Sequence, residues 1–304
     1  MKKILILLLI AIVIGIGIYF GLKNNGKSTT NGKLQITASF YPYYFFASEI
    51  GGSKVQVTNI TPAGAEPHDY EPTSGDLVLI NSSKLLILNG QVEPWGTKIQ
   101  TDLEGKSTKI LVAGTGLFTQ KVTDEEGQTA TDPHIWLSPT RAKVQAKAIL
   151  NELIQIDPAN KDYYSANANK LLNELDNLDQ SFKKGLASCQ KKDIVTSHAA
   201  FGYLASDYGL IQIPIAGLSP DAEPSLKEMA NITNFVKTNG INYIFFESLV
   251  SPKLSQTIAA ETGAQTLVLD PLEGLTPAAL SSGENYLTIM NQNLQNLEIA
   301  LECK

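Results

Sequence analysis

The sequence predicts an α/β protein made of two βα lobes with parallel sheets, joined by one long rigid helix. Three observations carry that expectation. Short aliphatic and β-branched runs alternate with helix-like stretches in the first half of the chain, and the same alternation returns in the second half. Such alternation feeds parallel strands through crossover helices. Between the two series, residues 138–187 turn wholly helical, with apolar positions recurring at three and four.

The elements follow in chain order. Met1-Lys2-Lys3 precedes ILILLLIAIVIGIGIYFGL, residues 4–22, which carries no charge. As a helix this run measures roughly 28 Å, close to the ~30 Å hydrocarbon core of a bilayer. Leading lysines predict that the N-terminus stays in the cytoplasm and the remainder is exported. The run ends in Tyr19-Phe20-Gly21-Leu22-Lys23 with no small-x-small cleavage site and no cysteine to lipidate. We therefore expect a signal-anchor, an uncleaved transmembrane helix; a cleaved signal is the alternative. Residues 23–33 read as a polar tether, so that residues 1–33 form the anchor and tether.

A first lobe is expected over 34–157. LQITAS (34–39), VQVTNI (55–60), LLIL (85–88) and TKILVA (108–113) read as strands, with helices over 44–50 and 74–82. Ser138-Pro139 supplies an N-cap and first-turn proline for PTRAKVQAKAILNELIQI. Asp157-Pro158 then opens a linking helix over 158–187, with Leu171, Leu172, Leu175, Leu178, Phe182 and Leu186 on its apolar face. A rod of roughly 45 Å is long enough to bridge two lobes, although a long helix within one domain is also compatible with it. The second lobe, 188–304, has strands DIVTS (193–197), IQIPIA (211–216), YIFFE (243–247) and TLVLD (266–270). Helices fall over 200–209, 224–240 and 251–263, and a C-terminal helix carries Leu287, Met290, Leu294, Leu297 and Leu301.

Composition narrows the function. The 304 residues are 43% hydrophobic and 18% charged, an ordinary globular balance. Without Lys2, Lys3 and Lys23 the chain has 21 basic against 30 acidic side chains and no basic stripe, which argues against nucleic acid as a partner. Cys189 and Cys303 both fall in the exported part. An even count in an oxidising compartment predicts a disulfide, with two buried thiols as the alternative.

The chain has only three histidines, and all lie close to the ends of strand-like runs. His68 sits in EPHDYEPT, His134 in DPHIWLSP and His198 in TSHAAFGY. Sites in open parallel sheets form outside the carboxyl ends of the strands. His198 follows the strand DIVTS and Asp270 ends TLVLD. Three imidazoles and a carboxylate across a cleft would suit tetrahedral Zn²⁺. Taken singly, each histidine reads more readily as a polar surface residue of a loop.

Longer motifs decide between these. ITASFYPYYFFASEIGG, TPAGAEPHDYEPTSGDL, LILNGQVEPW, DPHIWLSP, TSHAAFGYLASDYGL and the LD of LVLDPLEGL resemble the zinc- and manganese-binding solute-binding proteins of bacterial ABC metal importers. The resemblance runs from about residue 34 to the end. It implies a metal site in the interlobe cleft with His68, His134, His198 and Asp270 as ligands. Glu66 and Glu247 read first as surface or capping carboxylates, with an alternate ligand and a place behind the ligands as their other readings, and Trp136 would either shield His134 or belong simply to the core. The implied function is extracytoplasmic capture of Zn²⁺, with Mn²⁺ as the alternative cargo, for a permease driven by an ATPase. The protein would be a monomer held to the membrane through residues 4–22, with no catalytic residues. Four ligands would close the coordination sphere, whereas a catalytic zinc keeps a position open for water. A metal-dependent hydrolase and an adhesion module on the same fold are the alternatives. The chain departs from many members in lacking a lipidated cysteine. It also has VTDEEGQTATD, with Asp124, Glu125 and Glu126, where some zinc-selective members have a His-rich loop.

Overall fold

Two four-stranded parallel sheets of the same topology carry the fold. In the first, β1 (Leu34–Ala38), β2 (Val55–Asn59), β3 (Leu85–Leu88) and β4 (Lys109–Val112) lie in the order β2-β1-β3-β4. In the second, β7 (Asp193–Thr196), β8 (Ile211–Pro214), β9 (Tyr243–Phe246) and β10 (Gln265–Val268) lie in the order β8-β7-β9-β10. Each half thus repeats one winding, in which the chain steps to one side of its first strand and then returns to the other. The order reverses beside β1 and beside β7, and crevices open at such switch points. The computed structural model describes residues 32–123 and 129–304; the apolar run 4–22 and the acidic residues 124–126 lie outside them. Among the described residues no helix is long and apolar enough to cross a membrane.

Between the strands run α1 (Tyr41–Gly51), α2 (Ser74–Ser82) and α3 (Gly96–Asp102) in the first half. The second half has α6 (Gly202–Tyr208), α7 (Leu226–Thr238), α8 (Lys253–Thr262), α9 (Pro277–Ser281) and α10 (Tyr286–Ala300). A short antiparallel pair, β5 (Lys121–Thr123) with β6 (Thr129–Thr131), precedes the loop of His134. Local chemistry sets the helix starts. Thr73 and Asp76 form a reciprocal capping box at α2, as do Ser225 and Glu228 at α7. Ser138 accepts from the Arg141 amide ahead of Pro139 to open α4 (Pro139–Ile156).

The expected linking helix is shorter than its apolar pattern suggested. Pro158–Asn160 form a 3-10 turn, and the α-helix α5 runs Lys161–Gly185, 25 residues or about 37 Å. Asp157 causes the delay. Its carboxylate accepts from Asn160 Nδ2 at 2.7 Å and from Tyr164 Oη at 2.6 Å, tightening the chain before α5 begins. The helix then packs along α4, α1 and α10. Gly185 permits the last of these contacts, because a Cβ there would lie 2.2 Å from the Glu298 carboxylate.

The two halves share their interior. One continuous cluster joins Phe40, Phe46 and Leu85 of the first half, Leu171, Leu178 and Phe182 of α5, and Phe245, Tyr286 and Leu297 of the second. Tyr286 stacks on Phe45 at 5.7 Å and meets the edge of Phe46 at 5.0 Å. Leu34–Lys304 accordingly forms one compact unit. Cys189 and Cys303 are bonded across 114 residues, fastening the segment after α5 to the C-terminus.

Candidate metal centre

Each histidine is delivered by a loop whose backbone is fixed by its own neighbours. His134 follows Asp132-Pro133. Asp132 Oδ1 accepts from both the amide and Nδ1 of His134, each at 2.9 Å, so one carboxylate sets the loop and the ring together. Asn89 Nδ2 donates to Pro133 O at 3.0 Å and anchors that loop on β3. His198 lies just beyond β7, where its carbonyl accepts from Thr196 Oγ1 and Gln212 Nε2 at 2.8 and 2.9 Å. Its Nδ1 lies 2.5 Å from Glu247 Oε1, which also accepts from Ser197 Oγ. His68 lies in the loop after β2, where its amide donates to Glu66 Oε1 at 3.1 Å.

With Nδ1 of His134 and His198 engaged by carboxylates, Nε2 of each is left to face the centre. Nε2 of His134 lies 3.3 Å from Nε2 of His68 and 3.3 Å from Nε2 of His198. A fourth group completes the set. Glu273 Oε1 lies 3.2 Å from His68, 3.2 Å from His134 and 3.3 Å from His198, each measured to Nε2. All four ligand atoms fall within 4.8 Å of one another. A tetrahedron of ligands at 2.0–2.1 Å from Zn²⁺ has edges of about 3.3 Å. Five of the six edges here have that length, and the His68–His198 edge is the looser one.

The carboxylate in this group is Glu273, three residues beyond Asp270. Asp270 Oδ1 accepts from the Leu272 amide at 2.7 Å and Oδ2 accepts from Ser248 Oγ, so both its oxygens are engaged within its own surroundings. Leu272 has φ 55°, the left-handed region, and this turn brings Glu273 round to the imidazoles. Gly64 N donates to Leu275 O at 2.9 Å, joining the His68 loop to the Glu273 loop. Glu273 Oε2 is buried without a hydrogen-bond partner in the protein, an unsatisfied acceptor beside three imidazoles.

The electrostatics fit a site that exchanges protons for a cation. His134, His198 and Glu273 are buried, while the His68 side chain keeps 10% of its surface exposed. Burial pushes the Glu273 carboxyl up, but the charge of His198 and hydrogen bonds from His134, His198 and His68 outweigh it and hold it well below the usual range. Burial lowers His198, yet the charges of Glu247 and Glu273 raise it well above an ordinary imidazole. His134 is raised in the same way, with burial opposed by Asp132 and Glu273. Glu66 is pushed up to about 9 by burial and then by the charge of Glu273, and its Oε1 is engaged by the His68 amide.

Trp136 is fully buried, its ring centroid 5.2 Å from that of His134 and 4.9 Å from that of Phe40. It also does more than cover His134. Its Nε1 donates to Pro271 O at 2.7 Å and its carbonyl accepts from Tyr286 Oη at 2.6 Å, tying the His134 loop to the second half. Tyr203 of α6 is a second tie. Its hydroxyl donates to Asp132 O at 3.1 Å and accepts from the amides of Thr119 and Gln120 at 3.0 and 3.1 Å.

Comparison with known proteins points the same way. Residues 36–300 match the family described as ZnuA, zinc-uptake complex component A, periplasmic. The sequence is 36% identical to the high-affinity zinc uptake system protein ZnuA of Bacillus subtilis, over 92% of this chain and 93% of that one. It is 38% identical to the zinc-binding lipoprotein AdcA of Streptococcus pneumoniae over 90% of this chain, which spans only 57% of that longer protein. The fold superimposes on the Zn(II)-bound ZnuA-like domain of Streptococcus pneumoniae AdcA with TM-score 0.78 and 39% identity, covering 89% of this chain and 100% of that one. It is also similar to the laminin-binding protein of Streptococcus agalactiae, described as bifunctional with adhesin and metal transporting activity. There the TM-score is 0.79 at 31% identity, covering 88% of this chain and 99% of that one.

Proposed function

The chain belongs to the ZnuA family of periplasmic zinc-uptake components, and from that premise we infer that it captures Zn²⁺ outside the cytoplasm and hands it to an ABC permease driven by an ATPase. The family is one of solute-binding proteins, not of enzymes. The observation that carries the reading is the near-tetrahedral group of His68, His134, His198 and Glu273, with five of its six edges at 3.2–3.3 Å. In this assignment Glu273 takes the ligand place that the resemblance implied for Asp270. Two ligands come from the half spanning 34–157 and two from the half spanning 188–304, with α5 between them.

Capture proceeds by exchange of protons for the ion. Before loading, His134 and His198 hold protons against Asp132, Glu247 and Glu273. Arriving Zn²⁺ takes the Nε2 lone pairs, and the Nδ1 hydrogen bonds to Asp132 and Glu247 hold both rings in the tautomer that ligation needs. Three nitrogens and one oxygen favour Zn²⁺ over Mn²⁺, which prefers oxygen donors. The protein works as a monomer tethered through residues 4–22, its leading lysines inside the cell. The test is elemental analysis of residues 34–304 purified without added metal. One zinc per chain is expected, with no turnover of ester, amide or phosphate substrates. A chain that takes up no zinc on titration refutes the reading.

A further inference from the structure

We propose that Asp270 is a positioning residue: it holds Leu272 in a left-handed turn and thereby aims Glu273 at the three imidazoles. The proposal rests on the zinc-capture reading and deepens it. Among the described residues only Leu272 and Glu302 combine a side chain with positive φ, and Leu272 is fully buried. Leucine rarely adopts that backbone, since its Cβ crowds the following carbonyl. Such conformations persist only where their surroundings over-determine them, and they gather at functional sites.

The surroundings here are specific. The Leu272 amide donates to Asp270 Oδ1 at 2.7 Å, and Ser248 Oγ donates to Oδ2. The Asp270 backbone is fixed on both sides by one side chain, Asn293. Its Oδ1 accepts from Asp270 N at 2.8 Å and its Nδ2 donates to Asp270 O at 2.7 Å. Trp136 Nε1 holds the intervening Pro271 carbonyl at 2.7 Å. Residues 270–272 are thus clamped from the loop after β9, α10 and the His134 loop, and the first side chain beyond the clamp that reaches the imidazoles is Glu273. A carboxylate accepts a backbone amide more strongly than a neutral oxygen does. That strength opposes the tendency of Leu272 to relax, which would swing Glu273 away.

Zn²⁺ affinity, Co²⁺ absorption and amide exchange of residues 34–304 test this. Asp270→Ala should weaken Zn²⁺ about 10- to 100-fold, the range for a group that orients a ligand, while stoichiometry and the four-coordinate Co²⁺ spectrum persist. Asp270→Asn, which keeps an acceptor oxygen, should recover most of the loss. Leu272→Gly added to Asp270→Ala should also recover at least tenfold, because glycine takes the left-handed turn without strain. Loss of binding in Asp270→Asn with a changed Co²⁺ spectrum and no recovery by Leu272→Gly would make Asp270 a ligand and overturn the proposal. A lowered melting temperature with unchanged affinity would reduce Asp270 to a structural cap and overturn it equally. Failure of the wild type to bind zinc would count against the capture reading alone. In that event amide exchange at Leu272 and Glu273 of the metal-free protein decides, with acceleration by Asp270→Ala expected and unchanged exchange refuting the proposal.

Discussion

Glu247→Gln tests how far the carboxylates behind the ligands set the affinity. Glu247 Oε1 lies 2.5 Å from His198 Nδ1, and both side chains are almost wholly out of water, at 2% and 0% exposed. Glutamine keeps the shape and an acceptor oxygen but removes the charge that raises the donor strength of the imidazole. Loss of such a partner costs about 10- to 100-fold in metal affinity, or about 1.4–2.7 kcal/mol. A buried, charge-assisted contact belongs toward the upper end of that range. A second effect opposes the first. After burial, which lowers it, the charge of Glu247 is the largest influence raising His198. The neutral variant therefore holds the competing proton less tightly. The affinity deficit should be larger near pH 8, where the proton competes less, and should narrow as the pH falls toward 6. Competition titration with a chromophoric chelator at both pH values reads it. Affinity within about threefold of the wild type at pH 8, or a deficit that widens in acid, would refute the orienting role.

The metal-free protein should show its own pH dependence. His134 and His198 are raised, so their contribution is present below the unfolded imidazole value of about 6.5 and is lost as pH rises through their folded values. Glu273 is depressed, so its contribution is present above about 4.3 and is lost in acid. Melting of the metal-free form should therefore favour this site in the mildly acidic window, while the zinc-induced rise in Tm grows toward pH 8; a zinc shift that shrinks with rising pH would contradict the proton exchange. Reduction of Cys189–Cys303, which closes a loop with a separation of 114 residues, should cost about 4–5 kcal/mol in the chain-entropy model. That is a fall of roughly 10 °C or more in Tm, and differential scanning calorimetry with and without reductant measures it. His198→Glu should narrow the preference for Zn²⁺ over Mn²⁺ in competition titrations by replacing a nitrogen donor with an oxygen donor. It should also lower metal-free stability, because the new carboxylate would face Glu247 and Glu273. Full-length protein should remain in the membrane fraction after high salt and carbonate, and recovery of a mature chain beginning near residue 23 would show cleavage.

The parallel strands were legible because buried strands read as short aliphatic runs, and LLIL of β3 or YIFF of β9 has no competing pattern. The short elements were not. The polar GTKIQTD of α3 and the three-residue strands β5 and β6 carry too little periodicity to stand out. That the three histidines come together was legible from their scarcity and their places beside strand ends. That Glu273 is the carboxylate converging with them was not, because DPLEGL offers both Asp270 and Glu273. What separates them is the backbone of Leu272, and a leucine gives no sign of a left-handed turn. One mark was present in Gly274, where a Cβ would stand 3.3 Å from the Ala65 carbonyl. A glycine at such a place signals the close approach of another chain segment. In the structure that segment is the loop of His68, beside Glu273.

The interior shared by the two halves has a consequence for the energetics of loading. When a ligand must draw two separate bodies together, part of its binding free energy is consumed in ordering them. Here Tyr286 against Phe45 and Phe46, and Trp136 Nε1 on the Pro271 carbonyl, already hold both pairs of ligands in register. On the proposed function an ion entering such a frame would lose less of its coordination energy to ordering the protein. The corresponding burden falls on departure. On the proposed zinc-capture function, release from such a frame would call for displacement of the loops of His68 and Glu273, which carry the two ligands that Gly64 N on Leu275 O joins.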